Sequence, residues 1–592
     1  MCGIFGCLTP RQVHIDCNIL PHRGPDDWGV QYNDFPAGAL TLFQSRLSII
    51  GLGEQGHQPF AKYRRYLLAY NGEIYNYRDI RGNLETECRV NFETGTDTEV
   101  LYEALIHWGV DNTLERVNGM FAFAVVDIEA KTLTLVRDHI GIKPLYYSIT
   151  GDQILFGSEV KTFFDLGLME PALDRAYLGE YLSNCWVYEP DTLFRNVKKL
   201  EAGCYLRVDL SDRTFQHRRY WDIMSVPEEA MPDVADAVKL QTISDVPVGA
   251  YLSGGVDSSI MACCLKDSDI MFLNLQAGKS ESKRVKDLEQ LYNLHIERLL
   301  PEPDGLELYN GLVRQMDEPI ADPAVVPAYL LAKRSRDLGR VVMISGMGGD
   351  EIDAGYTRHR ILHYHDRIRW LRWVPDFLIR GISRGKRRRD LRRLKAFLDR
   401  PVPENYFSLT YYMTRDEVGK LVGPHWYESY ERKIREMCSH LSGLKRYFYL
   451  DMRGFLASHN LIYMDKASMA ASVEVRVPLL DRYVAQSMFA EVDEPQHAGK
   501  RRLKAYLQSL LGDGYVELKK EGFTYPVDRW VQEEIQWPEV ISFFRERNVL
   551  NTEVVESWVN TIPNDIDAVS MKLWTVYTLY VWMREFNVLM EA

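Results

Sequence analysis

Residues 245–265 read DVPVGAYLSGGVDSSIMACCL, and this stretch decides the fold of the second half of the chain. Gly249–Leu252 is a short apolar segment of strand type; two glycines and several hydroxyl side chains follow it, and then an apolar segment of helix type. A strand, a glycine-rich loop and a helix in this order are typical of a parallel α/β sheet, which places ligands at the carboxyl ends of its strands. The stretch therefore predicts a parallel sheet with a ligand loop at Ser253–Ser259.

The composition of this loop indicates phosphate binding. Glycines let the backbone approach a phosphate closely, and the N–H groups at the start of the following helix receive its charge. Asp257 would repel a bare phosphate, so a carboxylate here favours a bridging Mg²⁺. The loop is not of the Walker type because it lacks the GK[ST] signature. The predicted ligand-binding residues are Leu252, Ser253, Gly254, Gly255, Asp257, Ser258 and Ser259.

A second acidic loop, Ser345–Glu351, reads SGMGGDE and follows the apolar segment VVMI. We expect it at the carboxyl end of a neighbouring parallel strand, beside the first loop. Ser345 and Gly346 are therefore added to the predicted ligand-binding residues.

The rest of the chain divides into two kinds of segment. After about residue 234, strand segments at Ile270–Leu275 and Arg340–Ser345 alternate with helices, and beyond about residue 360 the chain is mostly helical. The first 200 or so residues consist of short strands separated by turn residues, interrupted by one helix with Thr96 as its N-cap and Glu99 three residues later. These strands are Leu40–Ile50, Arg65–Tyr70, Met120–Asp127, Thr132–Arg137 and Gln153–Ser158.

We therefore expect an α+β domain of antiparallel sheets and helices at residues 1–212, followed by a linker at 213–232 that contains two prolines. An α/β domain with a parallel sheet and a helical C-terminal part should occupy residues 233–592.

Length, charge and cysteine usage narrow the function classes. A chain of 592 residues is long enough for two to four domains, and its formal net charge of −12 argues against a general nucleic-acid surface. Nine cysteines without a CxxC pair fit a reducing cytosol better than a disulfide framework. The N-terminus lacks the features of a signal peptide, and no apolar run of about 18 residues occurs. We expect a cytoplasmic protein without a membrane or nucleic-acid partner.

One basic stretch runs against the overall charge. Arg380–Lys395 reads RGISRGKRRRDLRRLK. We interpret it as a solvated helix face; the alternative is a site for an anionic partner or substrate.

Cys2 is a candidate nucleophile at the other end of the chain. Removal of Met1 would leave Cys2 with a thiol and a free α-amine, whose unperturbed pKa of about 8 lets it accept the thiol proton near neutral pH. One residue could then supply both nucleophile and base. A structural cysteine at a chain terminus is the alternative, and Cys2 alone does not decide between them.

Motifs around Cys2 do favour the nucleophile. MCGIFG is followed by HRGPDD at His22–Asp27, SRLSI at Ser45–Ile49, YNGEIYNY at Tyr70–Tyr77 and GTDTE at Gly95–Glu99. Together they resemble the class II glutamine amidotransferases, whose glutaminase domain is an N-terminal-nucleophile hydrolase. The resemblance covers essentially the first 210 residues.

This resemblance implies a role for each matching residue. Cys2 would attack the glutamine side-chain amide, and the Asn71 side chain with the Gly72 backbone N–H would stabilise the oxyanion. Arg46 would pair with the glutamine α-carboxylate through its guanidinium fork. Asp97 and Glu73 would contact the α-amino group and the neighbouring backbone; for Asp97 the alternative is a carboxylate favoured by a helix dipole.

The SGGVDSS loop, preceded by DVPVG, resembles that of the ATP pyrophosphatases, which cleave ATP to AMP and pyrophosphate. Asp317–Pro323 and Asp465–Asp481 also match asparagine synthetases, so the whole chain resembles glutamine-hydrolysing asparagine synthetase. By this resemblance Asp257 and Asp350 hold Mg²⁺. Lys520 would stabilise charge on the leaving pyrophosphate, with Lys519 as the alternative in register.

The resemblance implies a two-site reaction. A carboxylate attacks the α-phosphorus of Mg-ATP, becomes an acyl-adenylate and releases pyrophosphate; ammonia made at Cys2 then displaces AMP. Glutamine and a carboxylate acceptor are the implied substrates, ATP and Mg²⁺ the cofactors, and a homodimer is compatible with this plan. Ammonia must stay enclosed because water near pH 7 would convert most of it to ammonium.

Two positions depart from the family pattern. Synthetases that make free asparagine commonly read SGEGxDE, whereas Met347 replaces the glutamate here, and methionine can neither accept a proton nor hold a charge. Aspartate is our first choice of acceptor, and sugar acids, cell-wall precursors or other carboxylates are alternatives. His139 stands where the family usually has proline, and we expect it at the surface or in a turn.

Two further functions remain open. A β-lactam-synthetase-like cyclase shares the two-domain plan but lacks a working N-terminal cysteine, whereas Cys2, Arg46, Asn71 and Asp97 are all present here. A non-catalytic scaffold would be expected to have lost catalytic motif residues. Met347 is the only position that shows a sign of such a loss.

Overall fold

A computed structural model describes residues 2–225, 233–276, 279–300, 305–375, 391, 394–395, 397–398, 405–410, 412–492, 494, 498–512 and 525–590. Lys519, Lys520 and most of Arg380–Lys395 lie outside these residues.

Two antiparallel sheets form the N-terminal part. Their strands run in the orders β2-β3-β1-β8-β7-β9 and β11-β10-β6-β5-β4. Apolar side chains from both sheets, such as Leu42 and Ala124, form one buried cluster, so the sheets pack face to face. The strands are β1 Gly3–Thr9, β2 Asp27–Phe35, β3 Gly38–Arg46, β4 Tyr66–Ile74, β5 Gly119–Asp127, β6 Thr132–Arg137, β7 Tyr146–Thr150, β8 Gln153–Gly157, β9 Lys198–Lys199, β10 Cys204–Asp209 and β11 Phe215–Arg219.

Helices cover the outer faces of these sheets. Tyr102 and Leu105 of the second helix pack with Phe123 on one outer face, as amphipathic helices on a sheet must. The predicted N-cap is confirmed, because the Thr96 hydroxyl accepts from the Glu99 backbone N–H at 3.2 Å. The helices are α1 Tyr77–Glu87, α2 Asp97–Arg116, α3 Lys161–Asp165 and α4 Leu178–Asn184.

A parallel sheet organises the second part, in the order β14-β13-β12-β15-β16. The three strands expected from the sequence are confirmed to within two residues at either end, whereas two edge strands were missed. One of these carries Glu474 and Arg476, which are buried and paired at 2.7 Å. Because these two residues are charged, the strand could not be recognised as an apolar segment of the sequence. The strands are β12 Val248–Tyr251, β13 Met271–Leu275, β14 Ile296–Leu299, β15 Val342–Ile344 and β16 Glu474–Arg476.

The expected helical C-terminal part is also present. Among the described residues, no helix is both long enough and apolar enough to cross a membrane. A π-helical segment, Asp451–Asn460, joins two of the helices. The helices of this half are α5 Val234–Leu240, α6 Val256–Leu265, α7 Lys279–Tyr292, α8 Gly305–Met316, α9 Val325–Asp337, α10 Gly349–Ile352, α11 Thr357–His363, α12 His365–Ile368, α13 Phe407–Thr410, α14 Arg415–Val422, α15 Trp426–Met437, α16 Lys445–Leu450, α17 Leu461–Met469, α18 Arg482–Ala490, α19 Arg501–Leu511, α20 Val527–Arg529, α21 Trp537–Arg547, α22 Thr552–Val559 and α23 Ile566–Glu585.

The two halves share one hydrophobic core. Trp582 of α23 packs its ring 4.8 Å from that of Phe194, and the Tyr181 hydroxyl of α4 donates to the Thr575 carbonyl at 2.9 Å. Buried apolar side chains from both halves belong to the same cluster. The two-part fold class expected from the sequence is confirmed, and the shared core fixes the halves against each other.

Candidate functional site

Cys2 lies buried immediately before β1, where the backbone on both sides of it is held. Its N–H donates to the Asn71 Oδ1 at 3.1 Å, and its carbonyl accepts from the Arg23 Nε at 3.1 Å. Burial raises the pKa of the Cys2 thiol, because the thiolate is poorly solvated there. A base must therefore take the thiol proton before Cys2 can act as a nucleophile.

Asn71 and Gly72 bring an unused donor to this cysteine. The two residues pair with Ala122 and Phe121 of β5, which fixes their position in β4. The Asn71 Nδ2 is buried and has no hydrogen-bond partner, although its Oδ1 is bound to Cys2. At Gly72 a Cβ would overlap the Met120 carbonyl oxygen, so the close strand pairing requires glycine. The arrangement offers a preorganised N–H donor to an oxygen that develops charge beside the thiol.

Arg46 lies at the end of β3, which stops at this residue rather than at the expected Ile50. Its guanidinium donates to the Gly53 carbonyl at 2.8 Å, to the Ile50 carbonyl at 3.2 Å and to the Gly51 carbonyl. The side chain is thus held by the loop that follows the strand. Its pairing with a glutamine carboxylate stays a prediction.

Asp97 and Glu73 form a buried acidic pair close to these residues. Asp97 begins α2, and its Oδ2 accepts from the Tyr70 hydroxyl at 2.9 Å and the Ile74 N–H at 3.1 Å. Burial raises the pKa of Asp97, and burial together with the Asp97 charge raises that of Glu73. Two carboxyl groups in this state favour a cationic ligand, and the α-ammonium group of an amino acid is one.

The predicted phosphate loop opens into a cleft of about 540 Å³ at the carboxyl ends of β12 and β15. Leu252 and Ser259 do not line this cleft; they are buried behind the loop, where the Leu252 carbonyl accepts from Asn274 at 2.7 Å. The predicted residues that do line it are Ser253, Gly254, Gly255, Asp257, Ser258, Ser345, Gly346 and Asp350.

The loop itself has the geometry of an anion cradle. Gly254 adopts a φ of 81°, and α6 starts at Val256, so the first N–H groups of a ten-residue helix face the cleft. The Ser253 and Ser258 hydroxyls lie 3.0 Å apart, and Arg284 donates to the Gly254 carbonyl at 3.2 Å. These donors and the helix start suit a polyphosphate.

The two acidic loops meet at a lysine. The Lys500 ammonium binds Asp257 and lies 2.9 Å from the Asp350 Oδ1. A Cβ at Gly349 would crowd the Asp257 carboxylate, so glycine lets the loops stack. Carboxylates from two loops that share one cation are the oxygen-donor set that Mg²⁺ takes, so Asp257 and Asp350 fit such an ion. Lys500 could not be predicted from sequence, because a lysine within the basic run Lys500–Lys504 belongs to no motif.

Family models match both halves of the chain. The model described as a glutamine amidotransferase domain matches residues 1–221, and the one described as asparagine synthase matches residues 232–584. The chain belongs to the asparagine synthase family. With its glutamine amidotransferase domain, this family member is a glutamine-hydrolysing carbon–nitrogen ligase.

A known relative of this asparagine synthase family member spans both halves, and another covers part of the chain. Asparagine synthetase [glutamine-hydrolyzing] 1 of Bacillus subtilis is 28% identical over 98% of this chain and 96% of its own. Putative asparagine synthetase [glutamine-hydrolyzing] 2 of Methanocaldococcus jannaschii is 31% identical over 64% of this chain and 79% of its own. A structure of glutamine phosphoribosylpyrophosphate amidotransferase from B. subtilis matches with a TM-score of 0.28 and 13% identity, over 58% of this chain and 81% of that chain.

The synthase cleft contains a third acidic side chain, to which sequence reasoning assigned no role. Glu351 lines the same wall as Met347, and its Oε1 accepts from the Tyr356 hydroxyl at 2.6 Å and the Asn460 amide at 2.9 Å. Burial, with the Asp350 charge beside it, raises the pKa of Glu351 to about 7. Although Met347 cannot carry a proton, Glu351 in the next turn can exchange one near neutral pH.

Buried ion pairs connect the synthase half to Cys2. The Arg23 guanidinium, which holds the Cys2 carbonyl, also binds Glu159 at 3.0 Å and Asp465 of α17 at 2.9 Å. Lys466 pairs with Asp317, which accepts from the Val160 N–H at 2.9 Å. The family-like segments Asp317–Pro323 and Asp465–Asp481 therefore form part of the contact between the halves.

His139 belongs to this contact, which corrects the expectation of a surface position. It is buried among the rings of Phe121, Tyr220 and Trp221, and its Nε2 lies 3.1 Å from the Arg482 Nη1. Its burial could not be predicted from the local sequence, because most of its partners come from distant parts of the chain.

Two other features of the molecule have structural explanations. A cavity of about 860 Å³ lies between the halves, but its charges pair with one another, as Lys433 does with Asp191 at 2.8 Å. Within the described part of the chain, one group of three His, Cys or acidic side chains has ligand atoms close enough together to hold a metal ion: Glu201, Cys204 and His217. Hydrogen bonds to Cys204 and Glu201 raise the pKa of His217 to about 10.

Proposed function

We propose that this ligase hydrolyses glutamine at Cys2 and transfers the ammonia to an acyl-adenylate that it makes from ATP and a carboxylate, with release of pyrophosphate and AMP. Aspartate, giving asparagine, is the first candidate acceptor. The observation that carries the proposal is the Asn71 side chain, whose Oδ1 fixes Cys2 while its buried Nδ2 has no partner. Such a donor is expected where an oxyanion forms.

In this proposal each half performs its own step. The Cys2 thiolate attacks the glutamine amide, and Asn71 and Gly72 donate to the oxyanion while Asp97 and Glu73 receive the α-ammonium group. In the cleft, the Ser253–Ser259 loop binds the ATP phosphates. Asp257 and Asp350 would hold Mg²⁺, which offsets charge on the leaving pyrophosphate. We place the glutaminase domain at residues 1–212, the linker at 213–232 and the synthetase domain at 233–592.

The same chemistry on another carboxylate is a second candidate, and the cleft wall favours it. Met347, Tyr463 and Met464 line the cleft near Glu351, so thioether and aromatic groups form this part of the wall. A larger sugar acid or cell-wall precursor would contact such a wall more extensively than aspartate does.

A screen of acceptors tests both candidates. Pyrophosphate release with glutamine and Mg-ATP should appear with aspartate, or with one of the sugar acids or peptidoglycan precursors. The Cys2→Ala variant should lose glutaminase activity yet still form the amide from ammonium salt, because the two sites lie in different halves. Glutamine-independent product formation from an internal amine would identify a cyclase. If the protein showed neither glutamine hydrolysis nor ATP cleavage under any condition, the non-catalytic scaffold would be the only remaining hypothesis.

A further inference from the structure

Two tryptophans stand exposed on one face of a short helical turn. Arg369–Trp373 forms a 3₁₀ turn after α12, and Trp370 and Trp373 are 63% and 75% exposed. Residues three apart in a 3₁₀ helix lie on the same side, so the two indoles project together. Large apolar side chains that point together into water mark an interaction surface.

Arginines accompany these rings. The Arg372 guanidinium lies 4.7 Å from the centre of the Trp373 ring, and that of Arg367 lies 5.7 Å from the centre of the half-exposed Tyr364 ring. Arginine and aromatic rings that share one exposed face combine apolar contact with phosphate binding. We call Tyr364, Arg367, Trp370, Arg372 and Trp373 the Trp–Arg face.

The basic stretch of the sequence follows this face directly along the chain. The Lys395 ammonium donates to the Val374 carbonyl at 3.0 Å, and the His365 ring packs 5.4 Å from that of Phe397. The sequence 376–395 contains nine lysines and arginines against two aspartates, in a chain whose formal net charge is −12. A strongly basic sequence thus comes directly after the two exposed tryptophans along the chain.

We propose that the Trp–Arg face binds the surface of an anionic lipid membrane. Tryptophan is favoured at the level of lipid headgroups, arginine pairs with their phosphates, and clustered basic residues add attraction to anionic lipids. Surface binding needs no membrane-spanning helix, so the lack of an apolar run in the sequence does not oppose it. A nucleic-acid duplex would use the positive charge but would not require two adjacent exposed indoles.

Vesicle co-sedimentation of the full chain tests the proposal. Binding should be strong with phosphatidylglycerol–phosphatidylcholine vesicles and weak with phosphatidylcholine alone. The double variant Trp370→Ser/Trp373→Ser should bind the anionic vesicles at least tenfold more weakly, and Arg367→Ser/Arg372→Ser should also weaken binding. Phe215→Ser, at a site 56% exposed in the other half, is the matched control and should bind like the unaltered protein.

Glutaminase activity of each variant is the folding control. The substitutions should not change it directly, because the Trp–Arg face is remote in sequence from Cys2. The proposal is overturned if the unaltered chain does not bind anionic vesicles. It is equally overturned if the double tryptophan variant binds them as well as the unaltered chain. Tighter binding to a single-stranded oligonucleotide than to vesicles, whether or not it depends on the tryptophans, would identify a nucleic-acid surface instead.

Discussion

At the scale of single residues, Asn71 is the most informative side chain, because a buried amide donor without an acceptor costs about 1–3 kcal/mol. The protein tolerates this cost beside Cys2, where an oxyanion would use the donor. We expect Asn71→Ala to lower kcat for glutamine hydrolysis roughly 10²- to 10³-fold with little change in KM. Steady-state glutaminase assays check this. An equal loss of ammonia-dependent amidation would indicate general damage to the fold instead.

Glu351 allows a prediction about pH. Its pKa is raised to about 7 from the usual 4.5, so its protonated form is favoured in the folded state. The stability that this proton gives is complete below about pH 4.5 and is lost as pH rises through 7. Glu351→Gln should therefore raise the melting temperature at pH 8 more than at pH 5.5, while amidation falls at least tenfold. Thermal melts at the two pH values measure this, and an equal shift at both would contradict it.

Candidate site residues could be picked out from sequence where a motif is local. Cys2, Asn71, Asp257 and Asp350 all lie in such motifs, and the structure brings them to two sites. Lys500 was not predictable, because it is 243 residues away from its partner Asp257 and no local pattern connects them.

At the scale of elements, two stacked loops make the cleft. The Ser253–Ser259 loop and the Ser345–Glu351 loop follow adjacent parallel strands, and glycines let them touch. We expect Asp257→Ala to abolish ATP-dependent amidation while basal glutaminase activity is retained, because Cys2 lies in the other half. Pyrophosphate release and glutamate formation, measured on one preparation, check this. Loss of both activities in a folded variant would contradict it.

The three strands expected in the parallel sheet are present, and the missed edge strand β16 has a physical cause. The central strands were predictable because they are apolar, as buried parallel strands are. β16 was not, since Glu474 and Arg476 are charged and satisfy each other inside the protein. Their burial follows only when β16 pairs with β15, a contact between distant segments.

At the scale of the whole molecule, the two sites are joined by buried charges rather than by surface contacts. Arg23 binds the Cys2 carbonyl, Glu159 and Asp465, and Arg476 of β16 lies 3.6 Å from Glu73. A shift of α17 would therefore move the backbone of the proposed nucleophile. This arrangement suits an enzyme whose ammonia must be made only when an acceptor is ready.

Asp465→Asn tests this connection. Losing one charged partner of Arg23 should lower the free energy of unfolding by about 2 kcal/mol, since Glu159 still pairs with the guanidinium. The amide formed per glutamine hydrolysed should fall at least twofold, while ammonia-dependent amidation stays nearly unchanged. Asp165→Asn is the matched control, because Asp165 pairs with Arg314 across the halves at 2.5 Å but is exposed. Such a surface pair contributes about 1 kcal/mol or less. An unchanged ratio in Asp465→Asn, or an equal fall in both variants, would show that the buried pairs do not couple the two sites.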